Sequence, residues 1–462
     1  MLLRRWTPTV LSAVLAWSLG CEPAPERRLQ GAVVILLDTV RPDRLSAYGH
    51  DRPTSPHLEE LARGGVLFEQ AVSTSSWTLP AVVSLLAGRY AEAGVYGGGK
   101  LLSSRVEQLQ DAGFATAAVT EGGYVSAHFG FDRGFDSFEE QEGEIRLFTQ
   151  EGAGGKGGGG IEQTFARAIA WLEEHRNEPF FLMVHTYEAH TPYRRLHFTE
   201  GGHRGKLDET FSVTDVDRIL EGELRLGQRE RDYIGRLYDG GLLEADKHVG
   251  LLLASLDALE LSERTLVVVT SDHGEDLGGR HTRFAGEHGH TLYDELVRVP
   301  LILYDPAEPR PDRRISTQVR IIDVLPTVLE LLEVDAPEVG DGRSLVPVMD
   351  GSERVDRPAL LKLWERSGGK PPSRFGIRSG SHKLVVNRKH ARPAAPMLEL
   401  FDLRVDPGEG QDVAAEFPEQ TRELRTQLGA WTRKLAGVEP PEGVELPAEL
   451  RRRLQELGYL TE

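Results

Sequence analysis

The chain has 462 residues, 39% of them hydrophobic and 27% charged, with 50 glycines and 26 prolines, which allows a large core in two or three domains joined by many loops. A formal charge of -18 argues against a nucleic-acid backbone as the main partner, because phosphate binding needs a basic footprint. A solvated acidic surface is the ordinary meaning of such a charge, although acidic groups also hold divalent cations.

The first twenty residues read as an export signal. Arg4 and Arg5 form a positive start, and Val10 to Leu19 is an apolar run. That run is too short to span a bilayer, for which about 20 apolar residues are needed. Cys21, the only cysteine, follows directly, as in bacterial lipoprotein signals whose cysteine becomes the lipidated first residue. Ser18 stands where a leucine is usual, and Glu22 after the cysteine favours outer-membrane sorting. The expectation is an exported chain, outer-membrane-anchored or periplasmic, that touches a membrane only through Cys21. One cysteine also precludes an internal disulfide, so packing and metal must stabilise the core.

From residue 31 the pattern alternates strand and helix. Ala32 to Leu37 (AVVILL) is a continuous apolar run, as in a strand buried on both faces. Thr54-Ser55-Pro56 offers a cap and an early proline for a helix through Ala62, closed by Gly64-Gly65. A short helix is expected over Ala81–Ala87. Further buried strands are predicted at Ala115–Val119, Phe180–Val184, Leu266–Thr270 and Leu301–Tyr304, with helices over Ile161–His175 and Leu242–Leu259. This order implies an α/β fold, a mostly parallel sheet covered on both faces, with ligands bound outside the carboxyl ends of its strands. Residues 151–160 (EGAGGKGGGG) are too glycine-rich to pack, and the charged stretch 193–231 reads as a surface insertion or lid. After residue 339 shorter segments, a helix over Pro418–Leu435, a Pro/Glu linker (438–447) and a last helix with Leu450, Leu454 and Leu457 at helical spacing suggest a smaller α+β domain.

Four groups of residues carry chemistry. Asp38 follows the opening strand directly, at the ligand-facing end, where a hard cation takes a carboxylate. Asp272-His273 occupies the same place after TLVVVT, and an oxygen beside an imidazole nitrogen suits Zn²⁺ or Mn²⁺ better than Ca²⁺. Thr78, just ahead of a helix, stands where an anion rests on unpaired N–H groups, and a metal would make its hydroxyl a nucleophile; the alternative is a capping threonine. Two histidine clusters, His185 to His190 (HTYEAH) and His288-Gly289-His290, supply groups to protonate a leaving oxygen, bind a non-bridging ester oxygen or hold a second metal.

The ordered series RPDRLSAYG, PTSPHLEELARGGVLF, WTLPAVVSLLAGRY, FGFDRGFD, FFLMVHTYEAHTPY, VVVTSDHGEDLG, HGHTLYDELVRVPLIL, DGRSLVPVMDG, IRSGSHKLV and LELFDLRVDPGE resembles the sulfatase family of the alkaline-phosphatase superfamily. The resemblance covers roughly residues 31–420. It implies a large mixed sheet sandwiched by helices, a smaller domain with a short antiparallel sheet, and a divalent metal at the strand ends. The implied organisation is a signal over 1–20, a spacer over 21–30, a catalytic domain over 31–338 and a smaller domain over 339–462. Carried over by motif, Asp38, Asp272 and His273, with Thr78, look like metal ligands. Thr78, His190 and His288 look catalytic, His185 and His290 substrate-binding, and Lys383 structural. Sulfatases carry a Cys or Ser, oxidised to formylglycine, followed by Pro and Arg at two-residue steps. This chain has Thr78-Leu79-Pro80-Ala81-Val82 instead, and Thr39 replaces the second of two paired aspartates.

The resulting expectation is a metal-dependent hydrolase of small-molecule, glycan or lipid esters. Thr78 attacks and phosphate mono- or diesters are favoured, because the superfamily's phosphodiesterases and phosphoglycerol transferases attack with Thr. The metal is Zn²⁺ or Mn²⁺, with Ca²⁺ or Mg²⁺ as alternatives. Two other readings stand beside this one, a sulfatase acting on sulfate esters and a lipid-anchored binding protein that kept the fold but lost catalysis.

Overall fold

A computed structural model describes residues 29–91, 96–97, 100–141, 160–279, 285–335, 337, 340–363, 374–388, 396–434 and 447–456. The expected export signal, Cys21, most of the glycine-rich stretch 151–160 and most of the expected linker 438–447 lie outside them, as do Leu457 and the side chain of Leu454.

The apolar run predicted to open the fold does so. Strand β1 (Gly31–Leu37) is buried throughout. Ala32, Val34 and Leu36 join the core on one side of the sheet, while Val33, Ile35 and Leu37 join the core on the other. Both faces must therefore be covered, as the absence of polar alternation implied. Helix α1 (Pro56–Gly64), strand β2 (Val66–Val72) and helix α2 (Thr78–Ala87) follow; α2 begins three residues earlier than the sequence indicated. Strands β3 (Tyr96–Gly97) and β4 (Lys100–Leu101) form a separate hairpin. Next come helix α3 (Val106–Asp111), strand β5 (Ala115–Thr120), strand β6 (Ser137–Glu140), helix α4 (Gly160–His175) and strand β7 (Phe180–Thr186). Helices α5 (Val213–Leu220) and α6 (Gln228–Ala258) lead to strand β8 (Thr265–Thr270), helix α7 (Asp294–Val297), strand β9 (Arg298–Tyr304), strands β10 (Arg313–Ile315) and β11 (Val319–Arg320), and helix α8 (Val324–Leu331).

The main sheet runs in the order β10-β2-β9-β8-β1-β7-β5-β6, with β11 also beside β2. Strand β1 lies parallel to β7 and β8, and only β9 runs against its neighbours β2 and β8. One edge of the sheet thus gathers the carboxyl ends of β1, β2, β7 and β8 together with the loop entering β9. Helices α2, α3 and α8 bury their apolar sides on one face, and α1, α4 and α6 on the other.

Helix α6 starts fourteen residues ahead of the predicted Leu242. Its first turns are rich in charge, and Gly240-Gly241 reads as a break, yet Tyr233, Ile234, Leu237 and Tyr238 recur at helical spacing and are all buried. The glycine answers a close approach: a Cβ on Gly240 would lie 2.4 Å from the carbonyl of Arg195. The charged 193–231 stretch is therefore no free insertion. Tyr193 and Phe211 exchange backbone hydrogen bonds of 2.8 and 3.0 Å, and Phe211, Val216 and Ile219 are buried against the α6 side.

Asp246 on α6 caps α1 from outside, its two carboxylate oxygens each 2.9 Å from the backbone N–H groups of His57 and Leu58. Replacing Asp246 with Ala removes the partner of two backbone donors, that of Leu58 buried and that of His57 part-buried, and should cost about 2 kcal/mol. Denaturant unfolding of the variant would show it, and an unshifted midpoint would remove this cap from the account.

The smaller part contains helix α9 (Val346–Met349) and an antiparallel sheet of β12 (Ala359–Leu363), β13 (Arg374–Ser379), β14 (His382–Asn387) and β15 (Leu398–Asp402). Helix α10 (Pro418–Lys434) lays Leu424, Leu428 and Trp431 on that sheet, against Ile377, Leu384 and Leu400. In the last helix, α11 (Ala448–Glu456), Leu450 packs against the main core. Among the described residues no helix is long and apolar enough to cross a membrane.

Candidate active site

Asp38 continues β1 by one residue, its N–H donating to the carbonyl of Thr186 at 3.0 Å, so its carboxylate is fixed at the sheet edge. The chain then turns through Thr39, whose φ of 60° is left-handed and costs a non-glycine residue about 1 kcal/mol or more. Distant parts of the chain hold that turn. The Thr39 N–H donates to Asp272 Oδ1 at 3.3 Å, the Tyr238 hydroxyl donates to the Thr39 carbonyl at 2.8 Å, and the Val40 N–H donates to Ser271 Oγ at 2.9 Å.

Thr78 opens α2 directly, after a Trp77 that offers no side-chain cap to the first turn. Its Oγ1 lies 3.2 Å from Asp38 Oδ2 and 3.1 Å from His273 Nε2. After β8, Asp272 Oδ2 lies 3.3 Å from His273 Nε2. The Nδ1 of His273 is 2.8 Å from the Gly274 carbonyl, which only accepts, so that nitrogen carries the proton and Nε2 presents a lone pair. Gly274 is obligatory, since a Cβ there would lie 2.1 Å from the Glu295 carbonyl.

The residues fit a divalent cation. One ligand atom from each of Asp38, Asp272 and His273 lies within 4.8 Å of the others, and all three residues are buried. Asp38 Oδ1 and Asp272 Oδ2 are buried and accept no hydrogen bond among the described residues. Burial, and then the charges of Asp272 and Glu275, push the Asp38 carboxyl well above the usual carboxylate range. A cation relieves both costs, and two carboxylates with one imidazole form a donor set that divalent metals accept.

Two of the remaining predicted residues converge on this centre. The His288 ring centroid lies 4.4 Å from that of His273 and 5.0 Å from that of His190. His190 Nδ1 is 2.6 Å from the Thr191 carbonyl, so Nε2 is its proton-exchanging nitrogen. His288 Nδ1 is 3.1 Å from Glu275 Oε1, a carboxylate that orients the ring. Two others sit differently from expectation. His185, fully buried, places Nε2 3.4 Å from Asp38 Oδ2, behind the metal ligand. His290 turns to Asp276, 3.2 Å away, and its carbonyl accepts from Arg374 Nε at 2.8 Å, which ties it to the smaller sheet. Lys383 is buried in ion pairs with Asp294 and Glu409. Glu275 was given no role from sequence, although its place two residues after His273 in SDHGE marked it as a candidate partner.

Residues 30–334 match the family described as Sulfatase, and residues 286–436 match N-sulphoglucosamine sulphohydrolase, C-terminal. The chain is 26% identical to steryl-sulfatase of Mus musculus over 92% of its own length and 85% of that protein's. It is 22% identical to N-acetylglucosamine-6-O-sulfatase of Bacteroides thetaiotaomicron, over 97% of this chain and 95% of that protein. A solved structure in complex with its substrate D-glucosamine-2-N,6-O-disulfate superposes with a TM-score of 0.69 at 20% identity, covering 88% of this chain and 98% of that one.

Proposed function

The chain belongs to the sulfatase family and is an ester hydrolase, and on that premise we propose that it cleaves sulfate monoesters of small molecules or saccharides with Thr78 as the attacking group. This reverses the order reached from sequence, where phosphate came first; the two curated relatives above are sulfatases by name, and the solved neighbour has a glucosamine disulfate as its substrate. The observation that carries the reading is the Thr78 hydroxyl within 3.2 Å of both Asp38 and His273 at the amino end of α2.

Asp38, Asp272 and His273 would hold the metal, with Thr78 beside them. When bound, it lowers the pKa of the hydroxyl and withdraws charge from the ester. Zn²⁺ or Mn²⁺ suits the imidazole-containing set, though family membership also brings Ca²⁺ into the comparison. The N–H groups at the amino end of α2 donate to the sulfate oxygens, helped by the partial positive charge there. Thr78 Oγ then bonds to sulfur while the bond to the alcohol oxygen breaks. The departing oxygen takes its proton from Nε2 of His190 or His288, which the proton lost by Thr78 replenishes. Water adds to the sulfated threonine, sulfate leaves and the hydroxyl returns. His185 and His290 position neighbours, the first behind Asp38 and the second against Asp276. Export and anchoring at Cys21 rest on the leading sequence alone.

A second reading keeps phosphate esters. Its support is the nucleophile itself: threonine is no precursor of formylglycine, and Val82, buried within α2, replaces the arginine that accompanies that residue in sulfatases. Parallel assays of the metal-loaded protein on an aryl sulfate, an aryl phosphate and a bis-aryl phosphate separate the two. Sulfate release that stops on chelation supports the main reading. Turnover of only the phosphorus esters would transfer the assignment to the second, and turnover of none would favour a binding protein.

A further inference from the structure

Away from the active site, on the side of the sheet covered by α4 and α6, a second group of ligating side chains comes together. Glu244 and His248 stand one turn apart on α6, and Glu162 faces them from the first turn of α4. One ligand atom from each lies within 4.8 Å of the others. His197, from the segment that follows the His190 loop, brings Nε2 to 3.4 Å from Glu244 Oε2.

Ion pairs explain only part of this arrangement. Lys247 Nζ is 3.0 Å from Glu244 Oε1, and Arg195 reaches Glu162 Oε1 at 3.7 Å while holding Glu188 at 2.5 Å. The atoms that face inward are left over. His248 is 5% exposed, and its Nε2, 3.3 Å from Glu244 Oε1, is buried and makes no hydrogen bond among the described residues. Glu162 Oε2 is buried in the same condition. A buried acceptor oxygen and a buried imidazole nitrogen that make no hydrogen bond, the nitrogen facing only the Glu244 carboxylate, are costly unless something positive lies among them.

We propose that Glu162, Glu244 and His248, with His197 completing the set, form a second metal site for a transition cation of the Zn²⁺ class. Carboxylate and imidazole donors from three separate segments give the mixed N/O coordination that such ions prefer. Its consequence is mechanical. Residues 188–197 carry His190 and rest on α6 through Arg195 and Gly240, and a cation shared with His197 clamps that segment to α4 and α6.

The test uses the full chain, stripped with chelator, reloaded with Zn²⁺, desalted and analysed for metal. With the active-site ligands removed (Asp38→Ala/Asp272→Ala), about one Zn²⁺ per chain should remain and raise the melting temperature, since a ligand of the folded state alone stabilises it. Adding His248→Ala should take the content to about zero and abolish the shift. Glu162→Gln, a milder change at the rim, should weaken retention at least tenfold if the alanine variant does not fold. A double variant that purifies and reloads without zinc, or a triple variant that keeps it, overturns the site.

Discussion

Thr78→Ala should lose turnover of every ester substrate by at least about 10³-fold, because removing a covalent nucleophile leaves only binding and electrostatic assistance. Metal content should stay at the wild-type level, since Asp38, Asp272 and His273 keep their donors. The pairing of readouts separates this from trivial damage: Thr78 is wholly buried, and a misfolded variant would lose both together. Ser at the same position keeps an oxygen without the methyl group and should retain part of the rate. If the alanine protein works as fast as wild type with metal bound, Thr78 is no more than the first residue of α2, and attack must come from elsewhere. Rapid quench with labelled substrate gives the complementary measurement, a sulfated or phosphorylated Thr78 in wild type and none in the alanine variant.

Lys383→Met should be the most destabilising single change at the joint between the two sheets. The ammonium is fully buried, 2.9 Å from Asp294 Oδ1 and 2.8 Å from Glu409 Oε1, and Arg378 completes the group at 3.0 Å from Asp294 Oδ2. Burial alone would raise the Asp294 carboxyl, but Arg378 and Lys383 outweigh it and hold the group below its usual range. Burial pushes Glu409 up to about 7, with Lys383 opposing and Asp294 adding. Removing one partner of a buried cluster strands the others and costs about 3–5 kcal/mol. The deficit should grow with pH. A folded-state value above the unfolded one means that Glu409 favours folding while protonated, and that this contribution is lost as pH rises through about 7. Unfolding at pH 5 and pH 8 would show the larger loss at pH 8, and Glu409→Gln in the same chain should restore part of it. Equal losses at both values would mean that the cluster is not coupled as described.

Strands buried on both faces announced themselves, because β1, β7 and β8 are buried at every position and each is built on a continuous apolar run, AVVILL, FFLMV and LVVV. The first half of α6 did not, because the charged residues of its first turns hide the buried Tyr233, Ile234, Leu237 and Tyr238. The second cation site was invisible for a similar reason. Glu162, Glu244 and His248 belong to no motif and meet only because α4 packs on α6, and His197 joins them from the segment between those helices.

Sequence alone determined which side chains stand at strand ends, since Asp38 and Asp272-His273 directly follow runs that can only be buried strands. It also supplied the family, through motifs in a fixed order, and the threonine in place of a formylglycine precursor. Tertiary structure decided which of those residues meet. Strand β9 runs against β8, so the loop entering it returns His288 to the edge where β1 and β8 end, whereas His290 turns to Asp276. A side chain's neighbours follow from how strands and helices are stacked, and that packing sums contacts between segments hundreds of residues apart, which no local pattern records.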